Sequence, residues 1–117
     1  MPALNFIKQL APKVKDGSKR TTIRAYRKDG RNPRPGQTLY LYTGMRTKSC
    51  KKLREEICKH TEQIVIDRHG INLKGDWLKS YDAMKVIRAD GFDTFDEMLF
   101  HFVKYYELPF TGLLIKW

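Results

Sequence analysis

Gly17-Ser18-Lys19-Arg20-Thr21-Thr22-Ile23-Arg24 is the stretch on which the fold turns. A glycine ends one element, basic and hydroxyl side chains follow, and β-branched residues then alternate into Ala25 and Tyr26. The alternation predicts a strand from Thr21 to Tyr26, with Thr22, Arg24 and Tyr26 on one face. Lys19 lies three residues before Thr22, the wrong parity for that face, and reaches Thr22 only if residues 17–20 form a turn. A lysine beside a threonine hydroxyl eases nucleophilic attack when its amine is neutral. Crowding by Arg20 and Arg24 together with burial is one way to keep it neutral. A solvated basic strand edge is the plainer reading of the same residues.

Upstream, Ala3 to Phe6 predicts a short strand. Phe6, Leu10 and Val14 recur at helical spacing, with Pro12 in an early turn and Gly17 as the C-terminal stop. Downstream, Asp29-Gly30, Pro33 and Pro35-Gly36 mark a loop over residues 28–36. Thr38 to Thr43 (TLYLYT) is the clearest strand, broken by Gly44 and followed by the basic loop Met45-Arg46-Thr47-Lys48. Residues 50–66 read two ways. Cys50, Leu53, Ile57, His60 and Ile64 fit an amphipathic helix, whereas Ile64-Val65-Ile66 is β-like. Arg68-His69-Gly70 predicts a hairpin turn before Ile71-Asn72-Leu73. Leu78, Tyr81 and Met84 predict a helix from Trp77 to Ile87, ended by Asp90-Gly91. Thr94 to Glu97 is a capping box opening a helix through Met98, Phe102 and Tyr105. Pro109 stops it, and Leu113 to Trp117 reads as a last strand. The pattern is α+β with mostly antiparallel strands.

The 117 residues suffice for one domain and one core. Net charge is +10, and it is lopsided. Residues 1–60 hold 16 Lys/Arg against Asp16, Asp29, Glu55 and Glu56, a net of +12, while residues 61–117 net −2. A field of that kind attracts phosphates and makes binding salt-dependent. No apolar run approaches a membrane span of about 18 residues, and Met1-Pro2-Ala3-Leu4-Asn5-Phe6 lacks a signal-peptide core. The two cysteines, Cys50 and Cys58, make no disulfide framework, so a cytoplasmic setting is expected. They are read as small buried hydrophobes, and His60, His69 and His101 as surface or packing residues. No zinc spacing, phosphate loop, dinucleotide glycine pattern or nucleophile elbow occurs, and neither metal nor cofactor is expected.

Gly17-x-Lys19-x-x-Thr22-x-Arg24, the Pro35-Gly36 turn and Thr38-Leu39-Tyr40-Leu41-Tyr42 together resemble an ASCH domain. The likeness continues through Thr43 to Cys50 and to Asp90-Gly91-Phe92, and so covers nearly the whole chain, residues 1–117, as a single domain. The resemblance implies a PUA-like fold, a small, mostly antiparallel β-barrel with flanking helices and a cleft lined by the motif. It also implies a barrel strand from Leu53 to Ile66 in place of the helix. The implied function is binding of RNA or of a nucleotide or modified nucleoside. One branch of the family hydrolyses the acetyl amide of N4-acetylcytidine, with the motif lysine as base, the threonine as nucleophile and a downstream glutamate as proton donor. Lys19 and Thr22 match the first two roles. The third falls on Asp90, a shorter carboxylate, because Glu97 fits a helix cap. The basic loop at 44–54 is extra relative to that branch.

Two site expectations follow. In a binding module, Arg20, Arg24, Arg46, Lys48 and Arg54 meet phosphates, Tyr26 and Tyr42 stack on bases, and Lys19 and Thr22 line a nucleobase pocket. In an amidohydrolase, or a ribonuclease-like enzyme, Lys19, Thr22 and Asp90 are catalytic. A third reading gives the basic half an acidic protein partner. Oligomeric state is not legible.

Overall fold

Side-chain alternation decides which segments become strands. A computed structural model of the chain describes residues 3–117; Met1 and Pro2, with which the N-terminal reading begins, lie outside the described residues. In chain order the elements are β1 (Ala3–Phe6), α1 (Ala11–Asp16), β2 (Thr21–Arg24), β3 (Thr38–Thr43), β4 (Lys51–Ile57), β5 (His60–Asp67), β6 (Gly70–Leu73), β7 (Asp76–Trp77), α2 (Ser80–Ala89), α3 (Phe95–Tyr105) and β8 (Phe110–Lys116). In β3 the period of two is clean: Leu39 and Leu41 are buried, while Tyr40 and Tyr42 occupy the other face.

The strands form two sheets. One is ordered β1-β3-β4, with β1 parallel to β3 and β4 antiparallel to it. The other is ordered β2-β8-β5-β6-β7 and is antiparallel throughout. The architecture is therefore α+β and mostly antiparallel, but the expected closed barrel is not found among the described residues.

Two cores form, one between the two sheets and one between the larger sheet and the helices. Leu4, Phe6, Val14, Leu39 and Leu41 pack with Leu113, Ile115 and Trp117. Ile64, Ile66 and Ile71 pack with Ile87, Met98, Phe102 and Leu114 under α2 and α3. β8 supplies Leu113 and Ile115 to the first core and Phe110 and Leu114 to the second, so it is buried on both faces.

Several expectations hold at the residue level. β1 and β3 fall where read, Pro12 sits in the first turn of α1, and Gly17 ends that helix at φ 86°. Thr94 caps α3 by accepting from the Glu97 N–H at 3.1 Å, and Glu97 Oε2 accepts from the Asp93 N–H at 2.9 Å. Other expectations need correction. Residues 50–66 contain neither a helix nor one long strand. They form the two strands β4 and β5, separated at Cys58-Lys59, where Cys58 N–H donates to Gln37 O and Lys59 N–H to Lys116 O, both at 2.8 Å. Helical spacing of the apolar residues misleads because β4 buries little and carries no alternating signal of its own. Trp77 belongs to β7, and α2 starts only at Ser80. Cys58 is buried but Cys50 is exposed. No helix among the described residues is long and apolar enough to cross a membrane.

Candidate functional site

The left-handed Gly17 turns the chain out of α1, and Lys19 N–H is held by Lys13 O at 3.0 Å. That turn overcomes the parity problem and sends the Lys19 side chain inward, where it is 1% exposed. Its Nζ donates to the backbone O of Asp90 at 2.5 Å and to Asp90 Oδ1 at 3.0 Å. Asp90 caps the C-terminus of α2, where unsatisfied carbonyls carry the negative end of the helix dipole. Lys13 Nζ donates to the next carbonyl, Gly91 O, at 2.5 Å. Two lysines thus fasten one helix end. Thr21 Oγ1 also donates to Asp90 Oδ1, at 3.1 Å.

Burial is the dominant force on this pair. It pushes the Lys19 amine below the usual lysine range, with the Asp90 charge pulling back and Arg24 and Lys13 adding to the depression. Burial likewise raises Asp90 against the stabilising pull of Lys19. Mutual hydrogen bonding is what makes the buried pair tolerable.

Thr22 and Arg24 share a face of β2 as alternation requires. Arg24 Nε donates to Thr22 Oγ1 at 3.0 Å, and its Nη2 reaches across to Asn5 O on β1 at 2.5 Å. The guanidinium therefore bridges the edges of the two sheets, 5.0 Å over the Phe6 ring, with Lys19 Nζ 5.6 Å from the same ring. Burial works against the Arg24 charge, but a guanidinium stays protonated in proteins.

These groups open into a cavity of about 330 Å³ between β1, β2, the end of α2 and α3. Lys19, Thr22, Arg24 and Asp90 line it together with the aromatic rings of Phe6, Phe92, His101, Phe102, Tyr105 and Tyr106. His101 is the centre of this aromatic wall, with ring centroids 4.8 Å from Tyr105, 5.4 Å from Phe92 and 5.5 Å from Phe102. Burial lowers its pKa below the ordinary histidine value, and the Lys19, Arg24 and Lys104 charges lower it further. At neutral pH the ring is uncharged. Such a chamber offers hydrogen-bond donors and flat, neutral faces together, within the size range of small-ligand sites.

The structure thus unites Lys19, Thr22, Asp90 and Arg24. It does not join Lys19 to Thr22: the amine is spent on Asp90, and the threonine oxygen accepts from Arg24. The other expected binding residues do not line the cavity. Arg20 is exposed, its Nε on Gly17 O at 3.1 Å. Tyr26 lies past the end of β2 and is exposed. Tyr42 faces away from the first core, opposite Lys52. Arg46 and Lys48 stand on the exposed loop after Gly44, which is tied to the cavity rim where Met45 N–H donates to Asn5 Oδ1 at 3.0 Å. Arg54 is engaged with Glu56 at 2.7 Å and with Lys15 O at 3.3 Å.

Sequence reasoning missed Asn5, Phe6 and the aromatic wall. The available signal was His101 and Tyr105, four apart on α3 beside the core stripe of Met98 and Phe102, with Phe92 just after the Asp90-Gly91 stop. Among the described residues no group of three His, Cys, Asp or Glu side chains converges to hold a metal. No protein-family model, curated protein or solved structure matches the chain.

Proposed function

We propose that this protein binds RNA or a nucleotide-like ligand, with an unpaired nucleobase or modified nucleoside held in the Lys19–Thr22–Arg24 cavity of an ASCH-type, PUA-like domain. The observation carrying this reading is that the buried Lys19 and half-buried Arg24 share one small chamber with a cluster of neutral aromatic rings. A base stacked on His101 and Tyr105 gains about 1–3 kcal/mol. Arg24, with guanidinium hydrogens beyond those given to Thr22 and Asn5, meets a carbonyl or a phosphate oxygen. The net charge of +10 supports a polyanionic partner.

Calorimetric titration with cytidine monophosphate, N4-acetylcytidine and a short RNA tests it. Binding is expected to weaken about 10- to 100-fold in Arg24→Ala, the equivalent of one charge-assisted hydrogen bond. Wild-type protein that binds none of the three refutes the reading.

Amide hydrolysis of an N4-acylated cytidine is the second reading, favoured by one hydrogen bond. Arg24 donates to Thr22 Oγ1, which leaves the hydroxyl proton directed elsewhere and favours the deprotonated oxygen. It requires the Lys19 amine to leave Asp90 and accept that proton. Release of cytidine by the wild type, lost in both Lys19→Ala and Thr22→Ala with the fold intact, distinguishes turnover from binding.

A further inference from the structure

Two further chambers adjoin the cavity through shared lining residues. A second chamber of about 260 Å³ shares Arg24 and Tyr106 with it and is floored by Ala25, Pro33 and Leu113. A third, of about 400 Å³, shares Arg27 and Asn32 with the second and adds Arg31 and Arg34. The β2 strand and the β2–β3 loop thus contribute lining residues to three neighbouring chambers, from Lys19 in the first to Arg34 in the third.

The loop at the far end is built, not slack. Asn32 Oδ1 accepts from Arg27 N–H at 2.8 Å, Asp29 Oδ1 from Arg31 N–H at 2.9 Å, and Gln37 Oε1 from Arg34 N–H at 2.9 Å. Gly36 N–H donates to Cys58 O and Cys58 N–H to Gln37 O, both at 2.8 Å, which ties the loop to the β4–β5 turn. The polar side chains that order the loop bond backbone: Arg27 Nη1 itself donates to Arg31 O at 3.4 Å, and no carboxylate is spent on a guanidinium there. Among the described residues Arg27, Arg31 and Arg34 form no ion pair with a carboxylate. The one carboxylate in that chamber, Asp29, is committed to Arg31 N–H. Three guanidiniums against one carboxylate around one concavity leave a net positive charge suited to an anion.

We infer that Arg27, Arg31 and Arg34 form a backbone-binding track continuous with the cavity, so that the protein takes a single-stranded polynucleotide with one base in the cavity and its neighbouring phosphates on the arginine loop. The inference rests on the binding reading above. A duplex is disfavoured because the cavity is walled by β1 and α3 and admits a ring only when it is unpaired. Phosphodiester chemistry is common to RNA and DNA, and the track does not choose between them.

The test is titration of the wild type and of an Arg27→Ala/Arg31→Ala/Arg34→Ala variant. The probes are cytidine monophosphate, single-stranded RNA and DNA of about eight nucleotides, and an inorganic polyphosphate of matched charge. The wild type is expected to bind oligonucleotides more tightly than the monophosphate, with a steep salt dependence. Between about 50 and 200 mM salt, the slope of log affinity against log salt should shrink by about 2 in the variant, roughly 0.7 for each phosphate no longer neutralised. The monophosphate, which presents one phosphate instead of several, should lose less affinity than the oligonucleotides. RNA and DNA losing affinity alike assigns the track to the phosphates, and RNA alone losing it assigns the track to ribose-bearing strands. An unchanged slope overturns the inference, as does equal affinity for polyphosphate or no binding of either oligonucleotide by the wild type. Failure of the cavity reading shows separately, as absence of monophosphate binding while the oligonucleotide slope still responds to the arginines.

Discussion

Removing one member of the Lys19–Asp90 pair should take away much of the molecule's margin of stability, and removing both should cost little more. The side chains are 2% and 5% exposed and 3.0 Å apart. Lys19→Met strands the Asp90 carboxylate with Thr21 as its remaining side-chain donor, whereas Asp90→Ala leaves the amine on a backbone carbonyl alone. Breaking a buried pair in this way costs about 3–5 kcal/mol, a large share of the roughly 5–15 kcal/mol expected for a domain. With a urea dependence near 2 kcal/mol per molar, each single variant should lose about 2 M in midpoint. The double variant removes both charges together, so the coupling between the sites is expected to reach about 3 kcal/mol. Urea denaturation followed by tryptophan fluorescence reads this directly, because Trp117 is 3% exposed and packs edge-on against Phe6 beside the cavity. Single costs that simply add, within about 0.5 kcal/mol, would refute the claim that mutual satisfaction is what makes this buried pair tolerable.

His101 gives the protein an acid sensitivity that can be isolated. Its folded pKa is depressed by burial and by the nearby cations, so on acidification the unfolded chain takes up the proton first. The stability tied to this group is present above the unfolded value of about 6.5 and is lost as pH falls through and below it. Thermal melts at stepped pH should therefore show a steeper decline for wild type than for His101→Phe, and parallel curves would count against the neutral ring. Gly112 tests how closely the strands beside the cavity approach each other. A Cβ there would stand 2.4 Å from Arg24 O and 2.7 Å from Phe110 Cζ. Gly112→Ala should cost about 1–3 kcal/mol by overpacking and should weaken ligand binding by moving Arg24. Wild-type stability and affinity in that variant would show that β2 is free to shift.

How legible is this in the sequence? Where a local rule and the tertiary environment agree, the residues announce themselves: TLYLYT as β3, Gly17 as a helix stop, Thr94 as a cap. The meeting of Lys19, Thr22, Arg24 and Asp90 is legible in membership but not in arrangement. Lys19 faces Asp90 because the free carbonyls of α2 compete for its amine, and no spacing rule reports where a distant helix will end. The 50–66 segment deceives for the opposite reason. β4 is an edge strand with exposed charged residues, so a chance helical spacing of Leu53 and Ile57 has no alternation to contradict it. The aromatic wall stays hidden because Phe102 and Tyr105 read as one helix stripe and His101 as a surface or packing residue, and only the fold brings their rings to a common space. The arginine-rich loop reads as a turn, and the bonding to backbone that leaves its guanidiniums without a carboxylate partner has no signature in composition.

β8 gives alternate side chains to two cores, and this sharing bears on how the molecule fails. A sheet whose strands served only one core could loosen while the other stayed folded. Here Leu113 and Ile115 cannot be released without also freeing Leu114, so the halves are bound to a common fate. The cavity touches both, through Phe6 on one side and Phe102 on the other. A molecule lodged there acts as a rivet through two plates. The stability such a ligand would add, about 2.7 kcal/mol at a hundredfold excess over Kd, would fall on the entire fold, and cleavage through partly open forms should slow in proportion.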